Sequence, residues 1–369
     1  MDLNSFMDDG IKDIVETVGR FYAKNPRGLA FLARTAASVV GASKVRASYE
    51  RRGTHVPGFL IASIASECNL NCAGCYARAN NTVGAEARAR ELTDEQWARV
   101  FEEAAQIGVS FMLLAGGEPT LRRPVLEAAA KTREIIFPVF TNGIFNDASY
   151  LDFFDANRNV LPIFSIEGDD EFTDARRGAG VSARVRANIN ALAVRGVLWG
   201  ASVTVTTENL DEVTSPEFIS DLYGRGCGAV IFVEYVPVAG GTYRLALNKE
   251  QGLELMRRIE ALAASGDYRG LVMRAFPGSE EEMGGCLAAG RGFFHISQAG
   301  GAEPCPFSPF SVANVAEKGL LGVIDDPFFA KVREVEERHA TEHTGGCTLF
   351  LHQSEVRETL AAAKASLEG

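Results

Sequence analysis

Cys68, Cys72 and Cys75 lie within eight residues, in the run Cys68-Asn-Leu-Asn-Cys72-Ala-Gly-Cys75. Soft thiolates grouped this tightly suit an iron–sulfur cluster or zinc. Three ligands on a four-iron cluster leave one iron open, and an open iron can bind a substrate. A structural zinc site wants four closed ligands, and no fourth cysteine or histidine is near in sequence. Cys286, Cys305 and Cys347 form a later group, with Cys227 between the two. The chain has seven cysteines, an odd number, and a cytosolic setting is expected. Metal binding or catalysis is therefore expected rather than a disulfide framework.

Chemistry of this kind needs a scaffold. From residue 59 short apolar runs alternate with longer helical patterns. The runs are 59–64, 110–115, 137–141, 161–166, 198–205 and 229–236. Between them Thr93 opens a helix with a capping box to Gln96, and another helix follows Pro124. Further helices span 147–156 and 182–195, start at Ser215-Pro216, and run from Asn248 to about Ala264. Strands nearly continuous in apolar residues, alternating with helices, predict a parallel sheet covered by helices. Six units predict an α/β fold, a partial (β/α)6 TIM-like barrel over 56–270. Residues 1–55 read as a helical N-terminal extension, with helices over 11–22 and 28–47. Residues 271–369 read as a small loop-rich domain that ends in a helix over 354–367. The first cysteine group follows the first strand, at the barrel end that carries the chemistry.

CxxxCxxC in this position resembles the radical S-adenosylmethionine (SAM) superfamily. A second element agrees: strand two runs into Gly116-Gly117-Glu118-Pro119. This is similar to the family's GGEP segment, which meets the amino group of the cofactor's methionine. The resemblance covers roughly residues 57–240. It implies a [4Fe–4S] cluster on Cys68, Cys72 and Cys75 that binds SAM. The SAM is cleaved to a 5′-deoxyadenosyl radical, which takes hydrogen from a substrate C–H. It also implies cofactor contacts from Thr141, Asn142, Ser165, Glu167, Ser202 and Thr204, with Arg184 or Arg177 on the cofactor carboxylate. The family usually has an aromatic residue before its last cluster cysteine; here that residue is Gly74. Tyr76 is expected to supply the aromatic surface near the adenine.

Thirteen residues separate Cys286 from Gly300 and four separate Gly300 from Cys305, with Asn314 beyond. This spacing resembles the opening of SPASM/twitch extensions, and Cys347 fits as a third ligand. The resemblance implies one auxiliary [4Fe–4S] cluster, because the later CxxC of a full SPASM domain is missing. Two other readings stay open: buried structural cysteines, or zinc completed by His343 or His352. Cys227 reads as a packed small residue before strand six.

The net charge of −11 makes nucleic acid an unsuitable main partner. No apolar run is long enough to span a bilayer, and the acidic N-terminus lacks the order of a signal peptide. A cytoplasmic enzyme is expected, with flavodoxin or ferredoxin as electron donor. Its substrate is expected to be a peptide or a small metabolite. The competing classes are an iron–sulfur carrier or scaffold, which needs neither barrel nor GGEP, and a zinc-binding interaction protein. The run Arg46, Arg51 and Arg52 reads as a solvated helix end.

Overall fold

The computed structural model describes residues 19, 21–22, 26–145, 147–277, 285–339 and 347–368. The helix expected over 11–22 lies outside these residues apart from Gly19, Phe21 and Tyr22. The chain opens on helix α1 (Pro26–Glu50), then β1 (Phe59–Ala65), α2 (Asp94–Ile107), β2 (Phe111–Gly116), α3 (Arg123–Lys131) and β3 (Phe137–Thr141). It continues with α4 (Ser149–Ala156), β4 (Val160–Ile166), α5 (Asp170–Arg177), α6 (Val181–Val194), β5 (Trp199–Val205), α7 (Pro216–Gly224), β6 (Cys227–Glu234) and α8 (Lys249–Ala264). The helix starts follow their signals. Thr93 and Gln96 form the expected capping box, Asn248 and Gln251 form another, and Ser215 caps α7 ahead of Pro216. Helix α5 was not expected. It is capped by Asp169, acidic in its first turn and basic in its last, as the helix dipole favours.

The alternation runs one strand beyond the expected limit of residue 270. β7 (Val272–Phe276) pairs in parallel with β6. Its sequence hid it, because an edge strand with an exposed Arg274 lacks a continuous apolar run. At the other edge β8 (His295–Ile296) pairs in parallel with β1, and β9 (Ala302–Glu303) pairs antiparallel with β8. The sheet order is β7-β6-β5-β4-β3-β2-β1-β8-β9. The sheet curls, because Tyr235 at the end of β6 lies against Gly74 in the loop after β1. The result is a partial barrel.

The two faces can be told apart. Phe137 meets Phe101 of α2 in an edge contact at 5.1 Å, so Phe137 and Val139 face the helices. The register carries that face to Leu114 and then to Ala62. Ser63 therefore faces the barrel interior, as does His295, in register with Ile61. Ser165, Ser202, Ile231 and Arg274 form one inward row across β4 to β7.

Helix α1 belongs to the other end of the barrel. Val39 and Phe59 pack on Phe111 and Ile136, where strands begin. Arg46 donates to the Gly108 carbonyl and to Ser110 (2.9 Å) from the same helix, which makes it a structural tie. Arg52 folds back on Ser48 and lies over Tyr49, in line with a solvated helix end. The C-terminal part adds α9 (Val315–Ile324), α10 (Pro327–His339) and α11 (Gln353–Glu368). α9 docks on α2, where Glu103 accepts from the Leu320 amide at 2.7 Å.

Candidate active site

β1 and β2 end side by side, and their exits are joined backbone to backbone. The Gly117 amide donates to the Ala65 carbonyl (2.6 Å) and the Glu118 amide to the Glu67 carbonyl (2.7 Å). A β-carbon on Gly117 would stand 2.7 Å from the Glu67 carbonyl carbon, which requires glycine there. Gly116, at φ +123°, is confined by Ala65 in the same way. The GGEP turn is thus fitted against the stem of the cysteine loop, with Pro119 buried in the short 3-10 turn that follows.

Glu118 is turned inward and is 1% exposed. Its carboxylate accepts from the Thr120 amide and hydroxyl (3.0 and 2.7 Å), the Thr141 hydroxyl (2.7 Å) and the Asn142 amide (2.8 Å). Burial pushes the carboxyl above its ordinary pKa, and these hydrogen bonds pull it back. The side chain clamps the end of β2 to the end of β3. Oε1 takes the Thr120 and Thr141 donors, and Oε2 takes the Asn142 amide.

Thr141 bonds to Glu118, and Asn142 reaches the cysteine loop directly. The Asn142 amide group reaches Asn69 Oδ1 at 2.7 Å and Cys68 Sγ at 3.9 Å. Asn69 in turn donates to the Ile144 carbonyl (3.0 Å). Cys68, Cys72 and Cys75 are half-buried at this end of the barrel. Burial raises the Cys68 and Cys72 thiols, and beside Cys72 the charges of Arg177 and Arg176 act the other way.

Those two arginines end α5 and frame Glu167, which is 2% exposed at the end of β4. Arg176 Nη1 lies 2.9 Å from Glu167 Oε2, and Arg177 forks onto Glu167 Oε1 through Nε (2.8 Å) and Nη2. The Thr204 amide also donates to Glu167 (3.2 Å). Arg176 exchanges two bonds with Ala73 of the cysteine loop. Arg177 is thus committed to Glu167 rather than turned to a cofactor carboxylate. Arg184 is exposed in the first turn of α6. Ser165 and Ser202 stand side by side on the inner face.

Tyr76 does not lie over the first cysteine group. Its half-buried ring makes an edge contact with Phe307 at 5.4 Å. Burial pushes the Tyr76 hydroxyl above its ordinary pKa, and Cys75 and Cys305 add to the shift. Asn80 bonding to the Pro306 carbonyl (3.3 Å) holds the two loops together. Gly74, at φ +66°, has the ring of Tyr235 where its side chain would be.

Cys286, Cys305 and Cys347 come together, all buried. Burial, together with Cys347 and Cys286, holds the Cys305 thiol well above its ordinary pKa. Between Cys286 and Cys305 the β8–β9 hairpin closes with the Gly300 amide donating to the Ser297 carbonyl. Backbone amides point at two of the sulfurs, Ala288 at Cys286 (3.5 Å) and Phe307 at Cys305 (3.3 Å). Such donors favour thiolates that carry charge to a metal. Cys227 stays at the start of β6 and bonds to the Ala229 carbonyl. His343 lies outside the described residues. His352 stacks flat on His339 with ring centroids 3.5 Å apart, beside Glu355. Parallel stacked rings cannot aim both in-plane lone pairs at one metal ion, so this trio does not read as a metal site.

Residues 63–215 match the model of the Radical SAM superfamily. The chain carries a radical SAM domain. An AdoMet-dependent heme synthase from Methanosarcina barkeri is 26% identical over 308 residues, spanning 77% of this chain and 87% of its own length. Mycofactocin maturase MftC from Mycobacterium ulcerans is 25% identical over 337 residues, 85% of each chain. A PqqA peptide cyclase from Granulibacter bethesdensis is 34% identical over 98 residues, which is 26% of this chain and 25% of that protein. In fold the chain is similar to Streptococcus suis SuiB bound to its precursor peptide SuiA. The TM-score is 0.64 at 19% identity, covering 79% of this chain and 70% of that one. With a radical SAM domain and enzymes as relatives along most of its length, the protein is a radical SAM enzyme. Among the described residues no helix is long and apolar enough to cross a membrane.

Sequence reasoning did not find Asn69, Arg176, Tyr235, Ser63, His295 or Glu303. Asn69 and Arg176 had a faint signal, one inside the cysteine motif and the other beside a residue already under consideration. The others lie apart in sequence and meet only through strand register and loop packing.

Proposed function

We propose that the protein reductively cleaves SAM and uses the radical to oxidise a peptide. Cys68, Cys72 and Cys75 would hold a [4Fe–4S] cluster. The residues fit that group: three half-buried thiols share one loop, an amide donor faces Cys68, and two arginines face Cys72. Such a cluster supplies the electron that splits SAM into methionine and a 5′-deoxyadenosyl radical, which then takes a hydrogen atom from the substrate. Asn142 orients the cysteine loop, and the Glu167–Arg176–Arg177 group fixes its far side. Gly116, Gly117 and Glu118 would offer acceptors to the ammonium of the cofactor. Ser165, Ser202 and Thr204 offer hydroxyls along the inner wall to the sugar and carboxylate of the cofactor.

The observation that carries the reading is the joint between the cysteine-loop stem and the GGEP turn. It packs the two motifs against each other at one end of the barrel. A carrier or scaffold has no use for the turn. We assign an auxiliary [4Fe–4S] cluster to Cys286, Cys305 and Cys347, supported by their convergence and by the amide donors at two sulfurs. We place the domain limits near 55 and 277, moved from 270 to take in β7; the sheet order supports this, with β8 and β9 contributed by the C-terminal part. A reducing cytoplasmic setting with a flavodoxin or ferredoxin donor suits the seven free cysteines.

The peptide assignment draws on the PqqA peptide cyclase and the SuiB–SuiA complex. The heme synthase relative supports a small-molecule substrate as the second reading. The test is anaerobic incubation of the reconstituted, dithionite-reduced enzyme with SAM. Synthetic peptides covering the short open reading frames beside its gene are the substrates. A peptide that emerges two hydrogens lighter, alongside 5′-deoxyadenosine, supports the proposal. Conversion of a tetrapyrrole precursor instead of any peptide overturns it in favour of the second reading.

A further inference from the structure

Ser308 is 0% exposed, and its hydroxyl has no hydrogen-bond partner among the described residues. A buried hydroxyl without a partner is disfavoured, and native structures rarely keep one. The turn that holds Ser308 does not use it. The Ser308 amide donates to the Cys305 carbonyl (3.0 Å), and the Ser308 carbonyl accepts from the Phe310 amide (2.8 Å). Main-chain groups make both bonds.

The position of Ser308 shows what its hydroxyl faces. Cys305 and Ser308 oppose each other in an antiparallel bridge. Directly opposed residues of such a pair carry their side chains on one face. The hydroxyl therefore leaves the turn on the side of the Cys305 thiol, the thiol that meets Cys286 and Cys347. The turn is also tied toward the first cysteine group, through Asn80 on the Pro306 carbonyl and through the edge contact of Phe307 with Tyr76. A turn of this kind has no need of a hydroxyl. The Phe307 amide points at Cys305 Sγ (3.3 Å), and after Cys286 the Ala288 amide makes the matching contact (3.5 Å) with Ala289 in the third place.

We propose that the Ser308 hydroxyl donates a hydrogen bond to sulfur of the cluster held by Cys286, Cys305 and Cys347. The proposal rests on the reading of those cysteines as an auxiliary [4Fe–4S] site. Ser308 acts as a neutral donor, because an alkoxide buried beside three thiolates would add uncompensated negative charge. Hydrogen bonds to the sulfurs help set the reduction potential of such a cluster. Reduction adds one electron, and a donor stabilises the added charge. Ser308 thereby holds the potential up and favours electron uptake at this site, as an oxidising enzyme requires. It is a positioning residue that acts through the cluster and does not touch substrate.

The experiment uses the full chain with Cys68, Cys72 and Cys75 replaced by Ala, reconstituted with iron and sulfide, so that the late group alone carries a cluster. A redox titration followed by electron paramagnetic resonance compares this parent with the same protein carrying Ser308→Ala. Iron content should stay the same. At a fixed potential near the midpoint, the ratio of reduced to oxidised cluster should fall about tenfold, a shift of about 59 mV to lower potential. A second measurement takes both proteins free of iron. Ser308→Ala should then resist denaturant as well as its parent or better, because the change removes an unpaired hydroxyl. An unchanged or raised midpoint potential would overturn the donor role while leaving the auxiliary site in place. So would loss of iron from Ser308→Ala alone, which would make Ser308 a ligand, or a clear loss of stability in its iron-free form, which would make it a structural group. A parent that holds no iron ends both the donor role and the auxiliary site.

Discussion

The ring of Tyr235 occupies the space that a side chain on Gly74 would need. A β-carbon there would stand 2.9 Å from Cε2 and 3.0 Å from Cζ of that ring, and the backbone at Gly74 has φ +66°. The Tyr235 hydroxyl is anchored on Thr242 at 2.9 Å. The loop after β6 thereby closes over the loop after β1, and the aromatic residue usual at this place in the motif is excluded. Gly74→Ala should lower stability by about 1–2 kcal/mol from the left-handed backbone alone. Gly74→Phe should also expel Tyr235 and impair iron retention. Thermal unfolding and iron content after reconstitution check this. A Gly74→Phe protein with wild-type iron content would show that the Tyr235 contact does not matter.

Glu118→Ala should act on the fold before it acts on a ligand. The substitution strips the partners from buried donors of Thr120, Thr141 and Asn142. Each such loss costs about 1–3 kcal/mol. Denaturant unfolding of the SAM-free protein should show a loss of that order or larger, with Glu118→Gln in between. If Glu118→Ala unfolds like wild type and only SAM binding weakens, the carboxylate serves the cofactor instead.

Arg177→Ala should leave Glu167 buried and partly uncompensated. Burial opposes the charge on Arg177, yet Glu167 holds the guanidinium above its ordinary pKa. Breaking one side of a buried pair typically costs about 3–5 kcal/mol; Arg176 remains on Glu167, so the lower end is expected. Equilibrium unfolding tests this, and a loss well under 1 kcal/mol would remove Arg177 from the frame around Cys72.

The late cysteines should hold iron independently of the first group. With Cys68, Cys72 and Cys75 all replaced by Ala, about four irons should remain, and adding Cys305→Ala should remove them. Cys227 should stay aloof from both sites, because burial pushes its thiol up to about 12. Below that pH it is neutral, so iodoacetamide at about pH 8 should leave it unmodified in the folded protein. Iron and sulfide counting with peptide mapping checks both points. Zinc in the triple variant, or rapid alkylation of Cys227, would contradict them.

Much of the scaffold was legible because its signals are local. β1 to β6 stand on continuous apolar runs, and the caps at Thr93, Ser215 and Asn248 are short motifs with fixed chemistry. β7 is an edge strand interrupted by the exposed Arg274, and β8 and β9, though buried, are only two residues long, too short to make a run. The same divide runs through the site. CxxxCxxC and GGEP are contiguous and readable. The inward turn of Glu118, the commitment of Arg177 to Glu167, and the place of Tyr76 beside Phe307 depend on elements far apart in sequence. No spacing rule encodes them.

The most direct measurement is 5′-deoxyadenosine release from SAM by the anaerobically reconstituted, dithionite-reduced protein. Wild type is set against a variant with Cys68, Cys72 and Cys75 all replaced by Ala. The expected result is steady release by the wild type and none by the variant, whose late cysteines still hold iron. Release by the variant, or none by an iron-loaded wild type, would contradict the assignment of SAM cleavage to this cysteine loop.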